Sequence, residues 1–268
     1  MADAIPATLY GRLIWRSALE VVTGLHIGTS PTAVSGLDLP IVRDPLTGQP
    51  YLPGSSLRGK LRASLERLLG LAPTTTGRGG VQYYVPQSRD EYEASPIGRL
   101  FGVPGTRAFP TEAGARLVVR DAFLAPESVA ALRRVRTELP YAEVKAEAAV
   151  DRVTAEAVPR HLERIPAGVR LAPLELVYSI YSGRDLTDFA WVVRGLQAVE
   201  DDYLGGHGSR GSGKVRFLDI ELALRSRATY RGEEATAFAP RRYPDLAALH
   251  ADLDPLLAAL RSALALPA

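Results

Sequence analysis

The segment "YLGGHGSRGSGKVRF", residues 203–217, packs five glycines between positions 205 and 213 around Ser209, Arg210 and Lys214. Glycine lets a backbone approach a ligand closely, a serine hydroxyl donates, and two cations supply charge, so these residue types suit phosphate. Two nucleotide-loop spacings coincide in it: Gly206-x-Gly208-x-x-Gly211, and Gly208-x-x-x-x-Gly213-Lys214 with Val215 where a magnesium-binding Ser or Thr would stand. The same residues would also serve a helix stop at Gly205 followed by a turn. A second phosphate candidate is "LPGSSLRGKLR", residues 52–62, which opens a helix. Its first-turn N–H groups, the hydroxyls of Ser55 and Ser56, Arg58 and Lys60 could together hold an anion, or simply form a capped helix with a solvated basic face.

Other chemistries find fewer residues. The four histidines, at 26, 161, 207 and 250, include no pair at metal-ligand spacing, and there is no cysteine. A zinc site or a Ser-His-Asp hydrolase is therefore not expected. Asp38 and Asp44 lie in a long loop just ahead of the basic helix start. Asp44 precedes Pro45 in a "PLTG" turn, whereas Asp38, in "SGLDLP", has no evident local task.

The 268 residues suffice for a substantial core without cross-links. A net charge of +2 gives no global basic field, so any nucleic-acid contact must be local. Lys60, Lys145 and Lys214 are the lysines of the chain, and two of them fall in the phosphate candidates. The absence of cysteine, of a signal-like N-terminus and of an unbroken apolar span of about 18 residues leads to the expectation of a cytoplasmic protein with no membrane partner.

Strand periodicity is clearest in "RLIWRSALEVV" (12–22), where Leu13, Trp15, Leu19 and Val21 oppose Arg12, Arg16 and Glu20. After the long loop, Ser55 or Ser56 is expected to cap a helix with a stripe of Leu57, Leu61, Leu65, Leu68 and Leu69. Residues 72–96, with "TTTGRGG", read as a mobile insertion. "RLVVRDAFL" (116–124), "AEVKAEAAV" and "LELVYSI" read as strands, the last two flanking a projecting excursion, "DRVTAEAVPRHLERIPAG". A helix is expected from about Thr187 to Asp202, and a final strand with Leu218, Ile220, Leu222 and Leu224 on one face. In the tail, 240–268, Asp254-Pro255 reads as a helix N-cap and first turn.

The expected fold class is thus α+β: a ferredoxin-like (RRM-like) βαββαβ core over residues 1–239, with a hairpin insertion at about 141–182 and a C-terminal helical extension over 240–268. This order bears on the glycine loop. Nucleotide loops run strand, loop, helix, because the phosphates need the positive end of the following helix. Here the loop follows a helix and precedes a strand, so the mechanism behind both nucleotide spacings is missing.

Taken in order, "TGLHIG", "LDLPIVRDPLTGQPYLPGSSLRGKLR", "GRLFG", "RDAF", "AVDRVTAEAVPRHLERIPAG" and "DYLGGHGSRGSGKVRF" resemble one family over roughly residues 9–224. It is the RAMP (repeat-associated mysterious protein) family of crRNA-binding backbone subunits in type III-A CRISPR effector (Csm) complexes. The resemblance implies copies stacked head to tail along crRNA, together with other Csm subunits. It places His26, Ser55, Ser56, Arg58, Lys60, Gly206, Gly208, Arg210 and Lys214 close to RNA, the loop serving as a flexible, cationic rest. The excursion would be a thumb hairpin wedging into the guide and target duplex, with Arg152 and Arg160 on RNA. Asp38 would be the aspartate that cuts target RNA with a divalent metal, Mg²⁺ in the first instance, as ligand or as base. The alternative is a non-catalytic crRNA-binding scaffold. "TSPTAVSGL", between "HIG" and Asp38, departs from the glycine-rich stretch usual in the family.

Overall fold

The computed structural model describes residues 7–29, 39–104, 114–135, 137–234 and 236–266. Strand β1 (Gly11–Val21) lies at the centre of a five-stranded antiparallel sheet. The other members are β2 (Leu117–Val119), β5 (Arg170–Ile180), β6 (Val215–Ser226) and β7 (Arg241–Asp245), in the order β7-β6-β1-β5-β2. Two further strands, β3 (Glu143–Val150) and β4 (Ala157–Arg164), pair only with each other as an antiparallel hairpin. The helices are α1 (Gly54–Leu68), α2 (Pro126–Arg134), α3 (Gly183–Asp201), α4 (Leu246–Ala251) and α5 (Leu253–Ala263).

Apolar stripes explain the layering. Leu13, Trp15 and Leu19 of β1 are buried in one cluster with Leu57, Leu61 and Leu65 of α1 and Phe189, Val192, Leu196 and Val199 of α3. The helices approach closely because residue 195 is glycine: a Cβ there would come within 2.4 Å of the Leu61 side chain. The start of α3 is fixed by a capping box between Ser182 and Asp185, and Asp185 also receives the buried Arg116 guanidinium at 3.0 Å. Helices α4 and α5 pack on α3, so the C-terminal extension covers the helical layer.

Several expectations are corrected. The α1 cap is not a serine: Pro53 stands at the N-cap without a side-chain bond, and the Gly54 N–H donates instead to Asp121 Oδ1 at 2.7 Å. Leu68 leaves the apolar stripe and is 56% exposed. "RLVVRDAFL" divides between β2 and a short strand, Ala122–Phe123, that pairs with Tyr51–Leu52 in another sheet. Strand β3 belongs to the hairpin and not to the main sheet. The 72–96 segment is an ordered part of the body, with Thr75–Thr76 paired to Gln82–Tyr83, a helix at Arg89–Ala94, and Tyr84, Val85 and Tyr92 buried. The tail opens with strand β7, and Asp252 rather than Asp254 stands at the N-cap of α5.

On β6 the core face is Val215, Phe217, Ile220 and Leu222, while Leu218 is only half-buried. The register against β1 jumps between Arg16 and Ala18, and Asp219 at the jump has φ +53°. This bulge switches the face that odd and even residues present. Its counterpart on β5 sits opposite Ser17–Leu19, so β1 keeps its alternation while both neighbours lose theirs.

Candidate nucleic-acid interface

The glycine loop joins the end of α3 to β6, as its place in the sequence requires. It is not a slack connection. The Leu204 N–H donates to Gly213 O at 2.8 Å, the Gly213 N–H to Gly24 O at 3.0 Å, and the Gly206 N–H to His26 O at 2.8 Å. A Cβ at Gly205 (φ +79°) would lie 2.2 Å from His26 O, and one at Gly208 would lie 2.0 Å from the Tyr203 ring. These glycines allow the loop to fold on itself and on the end of β1, which corrects the expectation of a flexible rest. Only at Gly211 (φ +83°), among the positive-φ positions of the loop, would a Cβ meet nothing within 4 Å.

His26 follows β1 and is buried. Its Nδ1 lies 2.8 Å from the Glu163 carbonyl oxygen, which can only accept, so Nδ1 carries the proton in this bond. The His207 ring meets it edge-on with centroids 5.3 Å apart. Burial, then the neighbouring His26, holds the His207 imidazole below its ordinary pKa. Glu163 is buried too: it forms an ion pair with Arg43 and accepts the Ile41 N–H at 2.8 Å.

The base of the hairpin docks on this loop. Arg160 pairs with Glu147 at 2.8 Å, Lys145 lies 3.2 Å from the same carboxylate and donates to Arg210 O at 3.2 Å, and Arg164 donates to Ser212 Oγ at 3.2 Å. The bond from Arg160, more than any other contact, keeps the Glu147 carboxyl below its usual range. Arg210 is half exposed, with its guanidinium 4.0 Å from Glu147. Lys214 fixes the loop exit through its backbone, the N–H donating to Thr23 Oγ1 at 3.0 Å, and its ammonium has no ion-pair partner among the described residues.

His26, Arg160, Gly206, Gly208, Arg210 and Lys214 are therefore brought into one region. Lys60 joins from α1: its ammonium is 2.5 Å from Asp202 Oδ2 and 3.8 Å from the Tyr203 ring centroid, at the entry to the loop. Ser55 and Ser56 stand on the first turn of α1, exposed and half-exposed. Arg58 is turned elsewhere, donating to Phe101 O at 2.6 Å and stacking on the Phe101 ring, with burial lowering its pKa. It serves packing and not the cationic cluster. Arg152 lies at the tip of the hairpin, in a turn where Asp151 Oδ1 accepts the Val153 and Thr154 N–H groups at 2.8 and 2.7 Å. Val153 in that turn is 94% exposed.

Asp38 lies outside the described residues, and both flanks of its segment are pinned beside His26. Thr29 N–H donates to Pro40 O at 3.2 Å, Glu163 N–H to Leu39 O at 3.1 Å and Val42 N–H to Ile27 O at 2.9 Å. Among the described residues no group of three or more His, Cys, Asp or Glu is placed to hold a metal ion. Glu147, Glu163, His207 and Arg43 were not singled out from sequence. Only His207 carried a signal, its place inside the glycine loop.

Among the described residues no helix is long and apolar enough to cross a membrane. Residues 18–216 match the RAMP superfamily. The chain is 36% identical over 252 residues to the "CRISPR system Cms endoribonuclease Csm3" of Methanocaldococcus jannaschii, covering 92% of this chain and 95% of the relative. A crystal structure of a Csm3–Csm4 subcomplex of the type III-A CRISPR-Cas interference complex superposes with TM-score 0.58 at 28% identity, over 92% of this chain and 97% of that one. The Methanopyrus kandleri Csm3 crystal structure shares the fold, with TM-score 0.63 at 22% identity over 94% and 98% of the two chains. The chain belongs to the RAMP superfamily and, within it, to the Csm3 family.

Proposed function

We propose that this chain is a backbone subunit of a type III-A CRISPR effector complex that binds crRNA and cleaves complementary target RNA. The observation that carries the reading is the convergence of His26, the glycine loop and the base of the β3–β4 hairpin into one cationic surface. Arg210 and Lys214 supply charge to an RNA backbone there, and Lys60 and the start of α1 extend the track. The chain succession β1, α1, β2, β5, α3, β6 with spatial order β6-β1-β5-β2 supports a ferredoxin-like core, and the separate hairpin with exposed valines at its tip supports a thumb. Its partners are crRNA, target RNA, further copies of itself stacked head to tail, and the other Csm subunits.

A kinked target strand places a ribose 2′-OH in line with the adjacent phosphate, and positioning then supplies much of the acceleration. Asp38, whose segment is anchored on both sides next to His26, is the carboxylate assigned to the cut, assisting removal of the hydroxyl proton. The described residues do not by themselves form a metal site, so no step is routed through an ion. The test is Asp38→Ala in a reconstituted complex. Assembly and crRNA content are expected to persist while target cleavage is lost. A 2′-deoxy substitution at the scissile nucleotide is expected to have the same effect. Unchanged cleavage in the variant would make the chain a scaffold whose cutting lies elsewhere.

A further inference from the structure

The sheet face turned away from α1 and α3 carries charges that the glycine-loop surface does not use. Arg12, Arg16, Arg120 and Arg225 line a groove of about 610 Å³ there, against the single carboxylate Glu175. Glu175 is spent on two of them, accepting Arg16 and Arg120 at 3.0 Å each. Arg12 and Arg225 are left. They stand directly opposite each other in the β1–β6 register, and neither forms an ion pair among the described residues. Like charges at facing positions of an antiparallel pair are destabilising, and nothing in the sheet offsets them.

The surroundings indicate what would. The Arg12 guanidinium lies 5.4 Å from the centroid of the Tyr230 ring, which is 47% exposed. Ile14 and Val177 floor the groove but are 8% exposed each, so arginine and tyrosine make the accessible surface. A protein interface needs an apolar centre that this surface lacks. Two guanidinium forks on adjacent strands match the oxygens of a phosphodiester, and an aromatic ring beside them offers a base a stacking partner. Arg12 precedes Val21, where β1 ends beside the glycine loop, by nine positions, about 30 Å of strand.

We propose that this face is a second RNA-binding surface, separate from the glycine loop, in which Arg12 and Arg225 clamp one phosphodiester and Tyr230 stacks an unpaired base. It goes beyond the function proposed above, and glycine-loop variants distinguish the failure of one from the failure of the other. The probe is a single-stranded oligouridine carrying 4-thiouridine, titrated against the full chain at several salt concentrations. The Arg12→Ser/Arg225→Ser double variant is expected to lower the slope of log affinity on log salt by about 1.4, at ~0.7 per lost phosphate contact. It is also expected to abolish photo-cross-linking at Tyr230, while Arg210→Ala/Lys214→Ala leaves that cross-link in place. Tyr230→Ala, which keeps both charges, should remove the cross-link without changing the slope, and it decides the matter if the double variant does not fold. An unchanged slope with no cross-link at Tyr230 in the parent protein overturns the proposal. So does binding of polyglutamate, but not of the oligouridine, that depends on the same two arginines, since the face would then take an acidic protein.

Discussion

Gly205 stands against the backbone of His26: the Gly206 N–H next to it donates to His26 O at 2.8 Å, and a Cβ at Gly205 would be 2.2 Å from that oxygen. The loop and the end of β1 thus behave as one unit. Gly205→Ala would combine a left-handed backbone with a collision against main chain, and a loss of about 2–4 kcal/mol is expected. Gly211→Ala has the backbone cost alone, since φ is +83° but the space is open, so about 1–2 kcal/mol is expected. Urea unfolding of both variants checks the difference, and equal losses would show that the contact with His26 does not hold the loop.

The Glu163 carboxylate joins the hairpin to the loop that leads into Asp38, through Arg43 and the Ile41 N–H. It is 2% exposed, so Glu163→Ala leaves an arginine and an amide unanswered at an expected cost of about 3 kcal/mol. Because the change releases one flank of the 30–38 segment, target cleavage is expected to fall more than crRNA retention. Glu163→Gln keeps the acceptor for Ile41 and should recover part of both. Cleavage assays paired with quantification of bound crRNA separate these effects.

What could be read from sequence followed from how local the cause was. The stripe Phe189, Val192, Val193, Leu196 and Val199 lies on one helical face, and all five are buried. The β6 face was misread because a bulge at Asp219 changes the parity halfway, putting Phe217 inward and Leu218 half out. A strand period carries no mark of such a shift. Ser55 looked like a cap, but the donor at Gly54 is met by Asp121, 67 positions away. At the candidate site, the glycines and cations announced themselves by type and spacing. The groups that fix them did not: Glu163 and Glu147 are acids in a charged hairpin until the fold places them beside His26 and Arg210.

His207 sets a pH dependence. Burial, and after it His26, lowers its pKa in the folded protein, with Arg160 and Arg210 acting in the same direction and Glu147 against them. The unfolded chain takes up the proton near the ordinary value of 6.5 while the folded chain does not. Stability from this group is therefore fully present above about pH 6.5 and is lost as pH falls from there through the folded value. Denaturant unfolding at pH 7.5 and 5.5 should show a decline that His207→Gln reduces, and an NMR titration of the imidazole should give a midpoint below 6.5.

Arg210 and Lys214 offer charge at the glycine loop in different ways. The Lys214 ammonium has no ion-pair partner among the described residues, whereas Arg210 lies 4.0 Å from the Glu147 carboxylate. If both meet RNA phosphates, Arg210→Ala/Lys214→Ala should flatten the salt dependence of crRNA binding by about 1.4 in slope. Lys214→Ala alone should account for at least half of it. An unaltered slope removes the loop from the RNA track and leaves Lys60 and α1 to define it.

Chelation separates a catalytic ion from a structural one. The described residues contain no cluster able to hold a metal, and the buried acids Asp185 and Asp188 are answered by Arg116 and Arg99. Folding thus has no need of an ion, and EDTA should leave the melting temperature of the chain unchanged, unlike a protein whose ligands gain their folding energy from metal. We propose that cleavage does need a divalent ion, Mg²⁺ in the first instance, with Asp38 as its protein contact. EDTA is then expected to stop target cutting by the assembled complex while crRNA remains bound, and added Mg²⁺ to restore it. Cutting that survives exhaustive chelation would confine Asp38 to proton transfer, and a melting temperature that fell with EDTA would place an ion in the fold itself.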